Sequence, residues 1–126
     1  MGVNEAKARA EAIRRADALL DASASLRREL VKYERELRRA RTRVLQGKPN
    51  PSPHILADLV AVRLRLNKCF DELERCRRQW RVAFFRLQTD AGMSLAAIAR
   101  EWGLSRQLVS RLMLDETAQT NTRAHA

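Results

Sequence analysis

The sequence predicts an all-α fold. A long antiparallel helical hairpin, a coiled-coil-like arm, is followed at the C-terminus by two short helices about a tight turn, with the end of the second long helix completing a three-helix head. Three observations carry this expectation. Residues 4–46 contain neither proline nor glycine and are rich in strong helix formers. Residues 53–89 repeat apolar side chains in a strict four-three alternation. Residues 93–114, MSLAAIAREWGLSRQLVSRLML, hold two apolar-periodic runs, each preceded by a serine, with a glycine between them. The expected organisation is an arm and dimerisation region over 1–79 with a proline-rich turn at 47–53, a head over 80–114, and a flexible tail over 115–126.

The first helix is expected from Asn4, a candidate N-cap, to Gln46. Its apolar stripe is Ala12, Ala16, Leu19, Ser23, Leu26, Leu30, Tyr33, Leu37, Ala40 and Val44, the spacing a packed bundle helix demands. The first half is alanine-rich and buries little. Gly47 ends the helix, and Lys48, Pro49, Asn50, Pro51, Ser52 and Pro53 form a stiff connector in which proline suppresses regular structure. So short a link favours antiparallel neighbours, within one chain or exchanged between two.

Ser52 and Pro53 read as an N-cap and N1 pair, since the first helical amide has no intrahelical partner to lose. The second helix then carries Ile55, Leu59, Val62, Leu66, Cys69, Leu73, Cys76, Trp80, Ala83 and Leu87, every one apolar. Leu56, Phe70 and Phe84 widen this stripe to about three apolar positions per heptad, more than a two-stranded seam uses. Val60, Leu64 and Phe85 lie off it. A second apolar surface follows, and with it a homodimer whose contact residues are Val60, Leu64, Phe70 and Phe85; the competing reading is that scattered exposed apolar side chains are ordinary.

Asp90, Ala91 and Gly92 close the second helix, Gly92 as C′ residue. Ser94 is placed to cap the next helix, on which Ile98 and Ala99 share one face. Gly103 supplies the left-handed conformation of a tight turn, and Ser105 caps a last helix. There Leu108, Val109 and Leu112 return at three- and four-residue spacing, while Arg106, Gln107, Ser110 and Arg111 fall elsewhere around the cylinder. Met93 and Leu104 stand one residue before each cap, positioned to staple onto Ile98 and Val109. Trp80, Phe84 and Leu87 are the turns of the long helix expected to complete the head. Ala99, Gly103 and Val109, together with Ile98, Trp102, Leu104 and Leu112, resemble the helix-turn-helix superfamily, nearest to resolvase-type domains, the C-terminal DNA-binding region of sigma factors and small bacterial repressors. The resemblance covers about 21 of the 126 residues and implies that the last helix enters the DNA major groove.

Charge points to the same class of partner. A net charge of +10 favours a polyanion. It is unevenly placed: residues 1–46 carry 12 basic and 7 acidic side chains, residues 54–90 carry 8 and 5, and residues 91–115 only 3 and 2. The head alone is thus weakly charged, and tight phosphate binding needs help from the arms or from a partner copy. Arg78, Arg81 and Arg86, on the half of the second helix nearest the head, are the phosphate candidates; the competing reading is a solvated charged face. Arg38, Arg39, Arg41 and Arg43 cluster near the hairpin tip.

Within the head, Ser94, Ser105, Arg106, Gln107, Ser110 and Arg111 are the DNA-contact candidates. Gln107 has the amide geometry to pair with adenine, and Arg106 or Arg111 the fork that grips guanine; either arginine serves equally well as a phosphate ligand, and serines mostly contact the backbone. The function expected is a sequence-specific DNA-binding transcriptional regulator acting as a homodimer on double-stranded DNA, with recognition helix 105–114. Two alternatives stand beside it. One is an adaptor docking its hairpin on the transcription machinery, RNA polymerase or a sigma factor; the other is a nucleoid-associated architectural protein with steep salt dependence and no sequence preference.

Enzymatic activity is not expected, and neither is a cofactor. His54 and His125 stand apart from any carboxylate or thiol constellation, Cys69 and Cys76 lack a second ligand pair at zinc spacing, and four glycines build no phosphate loop. One heptad, roughly 10 Å of rise, separates the two cysteines, too far for a mutual disulfide; they read as buried thiols. No apolar run suits a membrane span or a signal peptide, so a cytoplasmic, nucleoid-associated location is expected. Arginine outnumbers lysine about five to one, a composition that fits a bacterium of high genomic GC content.

Overall fold

A computed structural model describes residues 2–48 and 52–125, with the side chains of the last helix described as far as Glu116. Four helices follow one another: α1 (Val3–Leu45), α2 (Pro53–Asp90), α3 (Leu95–Trp102) and α4 (Arg106–His125). The two long helices pack together as a hairpin. Of the proline-rich connector, residues 49–51 lie outside the described residues.

The helix boundaries follow from local chemistry. Ser52 Oγ accepts the Ile55 amide at 3.2 Å with Pro53 at the first helical position, as its sequence demands. α1 starts one residue before the expected Asn4 cap: the Gly2 carbonyl accepts the Ala6 amide at 3.1 Å, so Asn4 sits inside the first turn. At its other end the Lys48 amide reaches the Arg43 carbonyl and the Gly47 amide the Val44 carbonyl, both at 3.0 Å. That is a Schellman closure. Met93 and Gly92 repeat the same pair of bonds onto Gln88 and Thr89 at the end of α2.

Two compact units divide the chain, Met1–Ala18 with Cys76–Ala126, and Leu19–Arg75. The first turns of α1 thus belong with α3 and α4, although the sequence suggests they are part of the arm.

In the unit Leu19–Arg75 the core is Ala22, Ile55, Val62 and Leu66. The α2 side of this core follows the predicted stripe residue by residue. The α1 side does not. Leu26 and Tyr33 are half-buried as expected, and so are Ser23 and Leu30, but Ala22 and Glu36 are the buried positions and Glu29 is half-buried beside them. Toward the hairpin tip the contact face is rolled by one position, with Glu36 buried and Leu37 and Val44 exposed. Length and charge make this tolerable: Glu36 accepts from Arg39 Nη1 at 2.7 Å, and Arg39 also reaches Asp58 at 3.2 Å. Glu29 lies between Lys32 at 3.1 Å and Arg65 at 3.2 Å. The hydrogen bond from Lys32, and then that from Arg65, hold the Glu29 carboxyl below the usual glutamate range.

In the other unit Ala12, Cys76, Val82 and Ala83 are buried along the hairpin, and Gln79 with them. Gln79 Oε1 accepts from Arg15 Nη1 at 3.1 Å, and Arg15 Nε is held by Glu11 at 2.7 Å. A buried amide is thereby satisfied instead of being left at a cost. Cys76 is buried and Cys69 half-buried, and neither is in a disulfide.

Phe85, Ile98, Ala99 and Val109 form one buried cluster, with Met93, Leu95, Trp102, Leu104, Leu112 and Met113 packed around it. This corrects the expectation for Phe85. It is 0% exposed and therefore no surface contact for a second chain, because α3 and α4 cover the part of α2 on which it stands. Val60, Leu64 and Phe70 are exposed. A second difference concerns residues 115–126, expected as an irregular tail: the backbone of α4 stays helical to His125. Low apolar content removes packing there, but neither glycine nor proline follows Gly103, so nothing local stops the helix. Among the described residues, no helix is long and apolar enough to cross a membrane.

Candidate nucleic-acid interface

The turn between α3 and α4 is closed by its own hydrogen bonds. Ser94 Oγ accepts the Ala97 amide at 3.1 Å, capping α3 from an extended backbone conformation. At the other end Gly103 adopts φ 67° and ψ 31°, the left-handed region that costs glycine nothing and other residues roughly 1 kcal/mol or more. Its amide reaches the Arg100 carbonyl at 3.3 Å while Leu104 donates to Ala99 at 2.9 Å. Two residues later Ser105 Oγ accepts the Leu108 amide at 3.1 Å and starts α4. Both serines are thus structural caps, and both are exposed, so each hydroxyl hydrogen remains available to an outside acceptor.

α4 divides cleanly around its circumference. Val109 is fully buried in the cluster, and Leu112 and Met113 pack against it. On the other side Arg106, Gln107 and Arg111 are exposed and Ser110 half-exposed. These four line one open groove of about 450 Å³, with Leu95 from α3 and Leu114 and Asp115 further along α4. Four of the predicted contact residues are therefore brought together, while Ser94 and Ser105 stand outside the lining. Leu114 and Asp115 escaped notice in the sequence although they lie one turn past Ser110 and Arg111, which is the spacing that puts residues side by side on a helix. Asp115 matters electrically: its carboxylate at the edge of the groove opposes an anion there.

α2 supports this surface from behind. The Trp102 ring meets Phe85 edge-on with centroids 5.2 Å apart, and it also meets Trp80 at 5.5 Å and Phe84 at 5.9 Å. Its indole Nε1 donates to Gln88 Oε1 at 3.1 Å, and Gln88 Nε2 donates to Glu101 at 2.8 Å. Trp102 is therefore fixed by packing and by a two-step hydrogen-bond chain between α2 and α3. Trp80 and Phe84 both meet the Trp102 ring, and Phe85 contributes the fully buried one.

The three α2 arginines separate by environment. Arg78 is exposed, whereas Arg81 and Arg86 are half-buried. Arg86 Nη2 donates to the Met113 carbonyl at 3.5 Å, bridging α2 and α4. None of the three lines the α4 groove. No family model, no curated protein and no solved structure matches this chain.

Proposed function

We propose that this protein is a sequence-specific DNA-binding transcriptional regulator, active as a homodimer, that lays residues 105–114 of α4 in the major groove. One observation carries the proposal. Arg106, Gln107, Ser110 and Arg111 share an open groove on one side of α4 while Val109 on the other side is locked in a fully buried cluster. A helix anchored by one face and presenting arginine, glutamine and serine on the other has the donors and acceptors that base edges require. Pre-organisation by the two serine caps and the Gly103 turn means little ordering cost is left for the moment of binding.

Roles follow from chemistry. Gln107 pairs its amide with the N6 and N7 of adenine, and Arg106 or Arg111 forks onto guanine O6 and N7. Exposed Arg78, with the capping serines, grips phosphate and sets register. The head alone is weakly charged, so tight binding draws on the arms and on a second copy at the next half-site, about 34 Å along the duplex.

Selection of bound duplexes from a random library, followed by titration of the winner against a scrambled duplex, tests the reading. A selected site bound at least about 1,000-fold more tightly than scrambled DNA is the expected result, with Gln107→Ala and Arg106→Ala each relaxing preference at one position. Equal affinity for all sequences refutes it.

A further inference from the structure

The two open sides of the hairpin in the unit Leu19–Arg75 differ in chemistry. On one side Lys32, Glu36, Asp58 and Arg65 line a polar depression, crossed by the Arg39–Asp58 and Arg65–Glu29 ion pairs at 3.2 Å each. On the other, Tyr33, Leu37, Leu56, Leu59, Val60 and Arg63 line an apolar groove of about 220 Å³. The rolled contact face of α1 is what creates this asymmetry. With Glu36 buried and Glu29 half-buried, Leu37 and Tyr33 of α1 line the groove together with Leu56, Leu59 and Val60 of α2.

We propose that this apolar side is where a second copy of the chain docks, face to face, so that two hairpins close a four-helix bundle. The proposal deepens the homodimer in the reading above and rests on that part of it alone.

Area favours this occupant. Leu37, Leu56 and Val60 in the groove, with Leu64 and Phe70 at helical spacing from them on α2, are 44, 52, 41, 54 and 48% exposed, about 450 Å² on apolar residues, within the range of the largest and often functional patch of a single chain. With its polar rim the patch approaches the roughly 800 Å² per partner of a stable interface. The neighbouring positions Arg27, Glu34, Arg41 and Arg63 are three bases and one acid, so a two-fold arrangement has Glu34 of each copy to set against the arginines of the other, and its association strengthens with salt. A second copy carries the same apolar groove and is always present in equal amount. Three apolar positions per heptad on α2 are also what a helix needs when it packs in a bundle rather than in a pair.

Sedimentation equilibrium and light scattering of the full chain test the proposal, with Val60→Glu placed in the groove and Ala61→Glu placed next to it on the polar side. The parent is expected to be dimeric at about 10 µM, Val60→Glu to weaken the dimer by about 100-fold or more with helical circular dichroism retained, and Ala61→Glu to leave it unchanged. If Val60→Glu does not fold, Val60→Ala and Leu37→Ala are the substitutes, each expected to weaken association by about 10-fold. A parent that stays monomeric at about 100 µM, or a dimer weakened as much by Ala61→Glu as by Val60→Glu, overturns it. A parent that dimerises through this face yet binds no selected DNA upholds the interface and refutes only the DNA reading. A monomer that binds a single half-site does the reverse.

Discussion

Replacing Phe85 by alanine separates a core role from a surface role. The ring is 0% exposed and stands edge-on to Trp102 with centroids 5.2 Å apart at 86°. Removing it forfeits the transfer free energy of a large apolar side chain, about 2–3 kcal/mol, and an aromatic pair worth about 1 kcal/mol more. It also leaves a cavity among Ile98, Ala99 and Val109 that the surrounding helices fill only in part. The total falls at about 3–5 kcal/mol, a large share of the roughly 5–15 kcal/mol that holds a domain folded. Trp102 packs on the lost ring and Trp80 packs on Trp102, so tryptophan fluorescence during urea unfolding follows the region directly, while circular dichroism follows the long helices. The expected result is an early fluorescence transition in Phe85→Ala with the mass in solution the same as the parent's. A loss below about 1 kcal/mol, accompanied by a fall in mass, places Phe85 at an interface and refutes the packing described here.

Three further outcomes follow from the same geometry. Gly103→Ala meets open space at the new Cβ but must hold φ near +67°, so its cost is the left-handed backbone alone, about 1 kcal/mol by chemical denaturation. Arg86→Ala removes the bond to the Met113 carbonyl and lowers stability by about 1 kcal/mol, whereas Arg78→Ala leaves stability untouched and reduces the salt slope of DNA binding by about 0.9. Glu29 has a lowered pKa in the folded chain, so the stability it contributes is fully present above the unfolded glutamate value and is lost as pH falls through the folded one. Thermal midpoints measured on acidification should therefore fall less steeply in Glu29→Gln than in the parent, and identical profiles would show that the Lys32 and Arg65 contacts contribute nothing.

What the sequence makes legible here depends on how many solutions a pattern allows. The α2 stripe has one reading because all ten positions are apolar and a proline and a serine fix its start. α1 offers two: beyond Tyr33 the contact face can continue through Leu37 or through Glu36, and spacing alone does not reveal that Glu36 finds Arg39 and Glu29 finds Arg65 and Lys32. Phe85 eluded periodicity for a related reason, since what buries it is not α1 but the fold-back of α3 and α4. The caps at Ser94 and Ser105 and the turn at Gly103 were legible because their causes are local. Leu114 and Asp115, at the edge of the α4 groove, needed only the next helical turn to be counted.

Whether the exposed face of α4 reads base sequence is decided by competition binding on a duplex selected from a random library, with the parent and Gln107→Ala compared at every position of the site. The variant is expected to lose discrimination by about 1–3 kcal/mol at one A·T pair and to keep it elsewhere. A uniform loss across all positions, or none at any, would contradict that reading.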